Sequence, residues 1–184
     1  MIKAASFEAA FVVFGVLLAL AANEWRNKIA EDKASARALQ STYRELSDNQ
    51  KLVEASYQYH QGTSRVLYTL NGKADVKMFS KGFVFPARVT SNAWLTASET
   101  GALKNASYEK VLTLANVYSA QKSYESQSST IGGLIYEKLF QGGTDSIINS
   151  PSQLATIIAT MSYRERELLA LYEKVLEAIY QQRT

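Results

Sequence analysis

Residues 150–181 read SPSQLATIIATMSYRERELLALYEKVLEAIYQ. Ser150, Pro151 and Gln153 form a helix-start signal, with Ser at the N-cap, Pro in the first turn and Gln three residues after the cap. Behind it Leu154, Ile158, Met161, Leu168, Tyr172, Val175 and Ile179 repeat at spacings of four and three, with Glu165 in the one polar slot. That period is helical. Leu169, Leu171 and Leu176 widen the stripe beyond a two-stranded seam, so the helix, ~151–182, is expected to face a bundle core.

The same spacing recurs upstream. Leu39, Tyr43, Leu46, Val53 and Tyr57 fall in a 4-3 pattern, with Gln50 filling the missing place. No Gly or Pro interrupts the chain between Ala22 and Gly62. One long helix, ~23–60, is expected to end at Gly62. Residues ~63–90 are irregular, with Asn71-Gly72 as a turn and Pro86 excluding a helix interior. Ser91 is expected to cap a short helix over ~91–103 that ends at Gly101. A further helix is expected over ~107–140, with a polar middle from Gln121 to Thr130 and with Gly132-Gly133 admitting a neighbour or a bend. The expected fold is all-α, an up-down helical bundle over residues 23–184.

The segment before the bundle is apolar. Ala9 to Ala22, AAFVVFGVLLALAA, carries no polar side chain, and extension to Ala4 adds only Ser6 and Glu8. Residues 4–22 would make a helix of roughly 28 Å, close to the hydrocarbon thickness of a bilayer. Trp25 follows at headgroup level, then Arg26 and Lys28. The reading is a transmembrane helix that continues into the first bundle helix. A cleaved signal peptide at Ala19-Leu20-Ala21 is the competing reading, and leaves a soluble periplasmic protein. Glu8 is an ionisable group at the edge of the apolar run. It acts there as a functional contact or snorkels to the interface.

Composition removes most chemistries. There is no cysteine and one histidine, His60, so thiolate metal sites, disulfides, a Cys nucleophile and multi-histidine metal sites within the chain are excluded. Lys and Arg number 20 against 17 acids, with signs alternating along the chain, which does not fit nucleic-acid binding. Ser107-Tyr108-Glu109-Lys110, Ser119-Ala120-Gln121-Lys122 and Ser47-Asp48-Asn49 mimic motifs of penicillin-recognising enzymes. Their order is wrong and the K-T-G motif is absent. No phosphate loop is present. Glu165 and Glu167 read as solvated carboxylates on a charge-mixed face, and His60 as a partner of its helix's C-terminal dipole. No enzyme, cofactor or metal is expected.

Glu8, Gly15, Ala19-Leu20, Asn23 and Trp25 form the pattern E-x6-G-x3-A-L-x2-N-x-W. It resembles the N-terminal segment of a family of uncharacterised single-pass bacterial membrane proteins. Ser91-Asn92-Ala93-Trp94 followed by Thr100-Gly101-Ala102-Leu103 resembles that family's S-N-x-x-W…T-G-A-L stretch, with the Trp slightly offset. Only Lys3 stands where family members carry a basic run. The resemblance implies an inner-membrane anchor with the bundle on the periplasmic side, although Arg26, Lys28, Lys33 and Arg37 after the segment favour the opposite orientation. It implies no reaction.

The expected function is therefore non-enzymatic. The partners are the lipid bilayer and either other membrane subunits or a second copy of the chain, and not nucleic acid. Glu8, Gly15 and Trp25 belong to the anchor. Trp94, Thr100 and Gly101 are candidates for a contact or a pocket wall. A small-molecule or lipid sensor using residues 63–103 is the alternative.

Overall fold

The computed structural model describes the backbone of residues 2–181 and the side chains of residues 11–178. Helix α1 spans Ile2–Thr69, α2 Asn92–Glu99, α3 Tyr108–Gly142, α4 Asp145–Ile148 and α5 Pro151–Gln181. A single 3-10 turn lies at Val76–Met78. No strand occurs among the described residues.

Helix α1 passes through Gly62 without ending. The reason is its seam, which runs Ser35, Leu39, Thr42, Leu46, Asn49, Val53, Ser56, His60, Thr63 and Leu67 in unbroken 4-3 steps. All of these are buried except Leu39, which is half-buried. Burial of such a face outweighs the ~1 kcal/mol helix cost of one glycine. The seam therefore uses Thr42, Asn49 and Ser56, where the apolar pattern alone points to Tyr43, Gln50 and Tyr57. Those three are half-buried flanks.

Helix α5 carries the other seam. Leu154, Ile158, Met161, Leu168, Tyr172 and Val175 are buried, and so is Glu165. Leu46 and Val53 share one core cluster with Leu168 and Val175. A second cluster at the far end gathers Leu67, Phe79, Ile135, Ile148, Leu154 and Ile158. Helices α3 and α5 are joined through α4. Gly143 turns the chain at φ +62°, and a Cβ on Gly142 would lie 2.7 Å from the Ser146 Cβ.

The bundle is not up-down throughout. α5 runs antiparallel to α1, with His60 on Glu165 and Tyr68 on Thr156. α3 runs parallel to α1, with Tyr118 on Glu45 and Gln121 on Asn49. The chain returns between them through an extended segment, Phe83–Ser91, and α2. Pro86 and the residue before it disfavour a helix there. The backbones of α1 and α3 scarcely approach each other, because this segment separates them.

From Phe11 to Ala30 every residue of α1 is exposed. Among the described residues no helix is long and apolar enough to cross a membrane. The described part of the expected anchor, Phe11–Ala22, spans only about 18 Å as a helix. Ala4–Ala10, with Glu8, lie outside the residues whose side chains are described.

Candidate functional site: a half-buried extended segment and the groove beside it

A buried backbone must find hydrogen-bond partners. In a helix it supplies its own, whereas an extended segment inside a helical bundle cannot. Three tiers of polar side chains on α1, α3 and α5 meet that need for residues 85–94.

The first tier is built on Glu45. Its carboxylate accepts from the N–H of Ala93 at 2.9 Å and of Trp94 at 3.4 Å, and from the Tyr118 hydroxyl at 2.6 Å. It thus caps α2 from another helix, the placement that suits an anion at a helix N-terminus. Ser91 makes no side-chain capping bond, so the sequence expectation for it is corrected. Burial and the adjacent Glu45 push the Tyr118 hydroxyl far above the usual tyrosine range.

The second tier treats Thr90 as a strand residue. Asn49 donates Nδ2–H to the Thr90 carbonyl at 2.7 Å and accepts the Thr90 N–H at 2.9 Å. Gln121 donates to the same carbonyl at 3.0 Å, and its Oε1 accepts from Asn49 and from the Tyr172 hydroxyl. The side chains of two helices stand in for the missing neighbouring strands.

The third tier is ionisable and buried. His60 Nε2 accepts the Phe85 N–H at 2.8 Å. That fixes the proton on Nδ1, which donates to Glu165 at 2.9 Å. The ring is the neutral tautomer. The Tyr124 hydroxyl accepts the Ala87 N–H at 2.8 Å and donates to Glu165 Oε1 at 3.0 Å. Phe85 and Ala87, flanking a proline with no N–H, are both tied down. His60 and Glu165 are 0% exposed. Burial pushes the Glu165 carboxyl above its usual range, while the bonds from His60 and then Tyr124 pull it back. Neither the helix-dipole role expected for His60 nor the solvated role expected for Glu165 holds. His60 lies mid-helix, and Glu165 occupies a seam position. Glu167 remains at the surface on Arg164, 2.9 Å away.

With Nε2 engaged by a backbone N–H, the third tier positions a chain segment. Ser56, one helical turn before His60, makes no hydrogen bond to it. Among the described residues no cluster of His, Asp and Glu could hold a metal ion.

Beside the segment lies a half-open groove of about 1060 Å³. Its walls are Leu52, Ala55 and Ser56 of α1 and Ser128, Ser129, Gly132 and Gly133 of α3, with residues 84–89 as its back. The glycine pair meets no neighbour, since a Cβ on either would find nothing within 4 Å.

The sequence-derived candidates lie elsewhere. Gly15 and Trp25 are on the projecting part of α1, with Trp25 69% exposed. Trp94 is half-buried against the core and stacks on Tyr118, with ring centroids 5.3 Å apart. Thr100 is the C-cap of α2, and Gly101 turns at φ +68°; both are exposed, next to the bond from Ser35 to the Ala102 carbonyl. None of these lines the groove. For Asn49, Gln121, Tyr124 and Glu165 the signal in the sequence is the 4-3 register carried through polar positions. Glu45 flanks the seam of α1, and that register does not mark it.

No protein-family model, no curated protein and no solved structure matches this chain.

Proposed function

We propose that this protein is a non-enzymatic, single-pass membrane protein that holds a helical bundle beside the bilayer and works through protein–protein contact. The observation that carries the reading is the stretch from Phe11 to Leu20. Its large apolar side chains are 54–67% exposed, on every side of the helix. A helix that is apolar all round belongs in an apolar medium. Trp25 marks the interface, and the first buried contact of the bundle comes at Ser35. With residues from Ala4 onward included, the apolar helix reaches bilayer length. The resemblance of the E-x6-G-x3-A-L-x2-N-x-W segment to single-pass bacterial membrane proteins supports an inner-membrane place with the bundle in the periplasm.

The protein-contact part draws on the opposite end of the bundle. Leu134 of α3 is 61% exposed. With Ile131, Ile135, Ile147, Leu154 and Ile157 it lines an apolar recess of about 290 Å³. An open apolar surface of this kind supports an interaction site. The partner is another membrane subunit or a second copy of the chain.

Fractionation tests the anchor. The full chain is expected to stay with membranes after a carbonate wash and to keep Met1. A soluble chain beginning at Ala22 overturns the anchor and favours a cleaved leader. The absence of cysteine makes a single Thr113→Cys reporter unambiguous. Labelling of intact cells by a membrane-impermeant maleimide places the bundle outside, and labelling only after lysis reverses the orientation. Glu8→Gln is expected to weaken partner co-purification without loss of insertion. Equal recovery from both versions assigns Glu8 to the interface.

A further inference from the structure

The groove between α1 and α3 contains a contradiction in its own walls. Ala55 and Ser56 on one side, and Ser128, Ser129, Gly132 and Gly133 on the other, are the small residues that let helices pack closely. Here they face open space, because the hydrogen-bonded segment 85–90 props the helices apart. Two consecutive glycines inside α3 cost roughly 1 kcal/mol each relative to alanine, and no neighbour uses the room they leave.

A second observation is independent of the first. Ser56 lines the floor of the groove, is 0% exposed, and its Oγ has no hydrogen-bond partner. It is the one such buried side-chain atom among the described residues. A buried hydroxyl without a partner is costly, and such an atom in a native fold calls for an explanation.

The rim supplies charge. Lys81 holds its ammonium 4.8 Å from the Phe85 ring centroid and 5.7 Å from that of Tyr59, and it pairs with no carboxylate among the described residues. Arg88 likewise has no ion-pair partner among them. The acid on the lining is Glu125, which is exposed and whose carboxyl is raised from its ordinary value by partial burial. Leu52, Val84, Phe85, Pro86 and Tyr136 make the rest of the surface apolar.

We propose that this groove binds a small amphipathic carboxylate, with its apolar body between α1 and the glycine face of α3, a polar atom on Ser56 Oγ, and its acid group at Lys81 and Arg88. The groove has room for such a ligand, since about 1060 Å³ is just above the roughly 300–1,000 Å³ of ordinary small-molecule sites. A lipid still seated in the bilayer is out of reach, because Ser56 is roughly 50 Å along the helix from Ala22. The ligand arrives from solution, either as a hydroxylated arylalkyl acid or as a hydroxy fatty acid.

The test uses the full chain in a mild detergent, by calorimetric titration and saturation-transfer NMR, with protein-free micelles as the blank. 4-(4-Hydroxyphenyl)butyrate represents the aryl acids and 10-hydroxydecanoate the acyl acids, each with a hydroxyl for Ser56; the stronger binder names the source. 4-(4-Hydroxyphenyl)butanol and 4-(4-hydroxyphenyl)butylamine keep the body and change the charge, and are expected to bind at least about tenfold more weakly, for want of a charge-assisted contact. Gly133→Leu is expected to abolish binding with the thermal midpoint unchanged. Lys81→Glu with Arg88→Glu is expected to remove the preference for the acid while leaving the fold intact, and it decides the matter where Gly133→Leu lowers the midpoint. Ser56→Ala is expected to weaken binding without loss of stability. Equal affinity for acid, alcohol and amine, undiminished binding in a folded Gly133→Leu chain, or no saturable binding of either carboxylate overturns the proposal.

Discussion

Tyr124→Phe deletes one hydroxyl and leaves the ring in place. The hydroxyl accepts the Ala87 N–H at 2.8 Å and donates to Glu165 at 3.0 Å. Its loss strands a backbone donor, at about 1–3 kcal/mol, and removes a bond to a charged acceptor, at about 1.5–3 kcal/mol. Ala87 borders the groove, where water can reach part of the gap. The expected cost at pH 7 is about 2–5 kcal/mol. The cost is also expected to depend on pH. Burial raises the Glu165 carboxyl, and the bonds from His60 and Tyr124 oppose the rise. A group raised on folding stabilises fully below its unfolded value, about 4.3 for Glu. That contribution is lost as pH climbs through the folded value. Removal of the Tyr124 bond raises the folded value further, so the penalty grows from pH 4 toward pH 7. Urea denaturation across that range measures it, and the same series on Glu165→Gln is expected to remove the growth. A Tyr124→Phe cost under about 0.5 kcal/mol at pH 7, the range of an ordinary surface substitution, refutes the third tier as a support. So does a cost that is flat with pH.

Other substitutions probe the remaining parts. Leu168→Ala is expected to cost about 2–5 kcal/mol in chemical denaturation, as a fully packed core truncation; a cost near zero would remove Leu168 from the seam. Trp94→Ala is expected to lower the thermal midpoint by the equivalent of about 2–4 kcal/mol, for loss of half-buried area and the Tyr118 stack. An unshifted midpoint would make Trp94 a contact residue in place of a packing wedge. Glu45→Ala strips the cap from α2 and is expected to cost about 1–3 kcal/mol. It should also open residues 90–99 to proteolysis, and protection equal to that of the parent chain would show that α2 stands without its cap.

Apolar spacing alone made α5 legible, because six of its seam positions are apolar and Glu165 interrupts them once. In α1 the apolar pattern places Leu39, Leu46 and Val53 on the seam and misses the alternate positions by one residue, since every second seam position is Ser, Thr or Asn and sits beside Tyr43, Gln50 or Tyr57. The polar middle of α3 hid Gln121, Tyr124 and Ser128, which are buried. These errors share one cause. Periodicity registers which face is apolar, and a face that must satisfy an inserted backbone is polar by necessity. The end of α1 was misplaced for a related reason, as Gly62 sits on the exposed side of a helix whose other side is fully engaged.

The segment threaded between α1 and α3 also bears on how the chain acquires its shape. Its supports are far apart in sequence: His60 and Glu165 are separated by 105 residues, and Asn49 and Gln121 by 72. Contacts of such span are slow to form, because a long loop must close before they are made. Synthesis delivers α1 first and α5 last of these helices, so Leu46 and Val53 wait uncovered until residues 168–175 have left the ribosome. During that interval the seam of α1 is open to other chains, a state prone to mispairing. The closing event is the docking of α5, which buries the aliphatic row and brings Glu165 to His60 in one step.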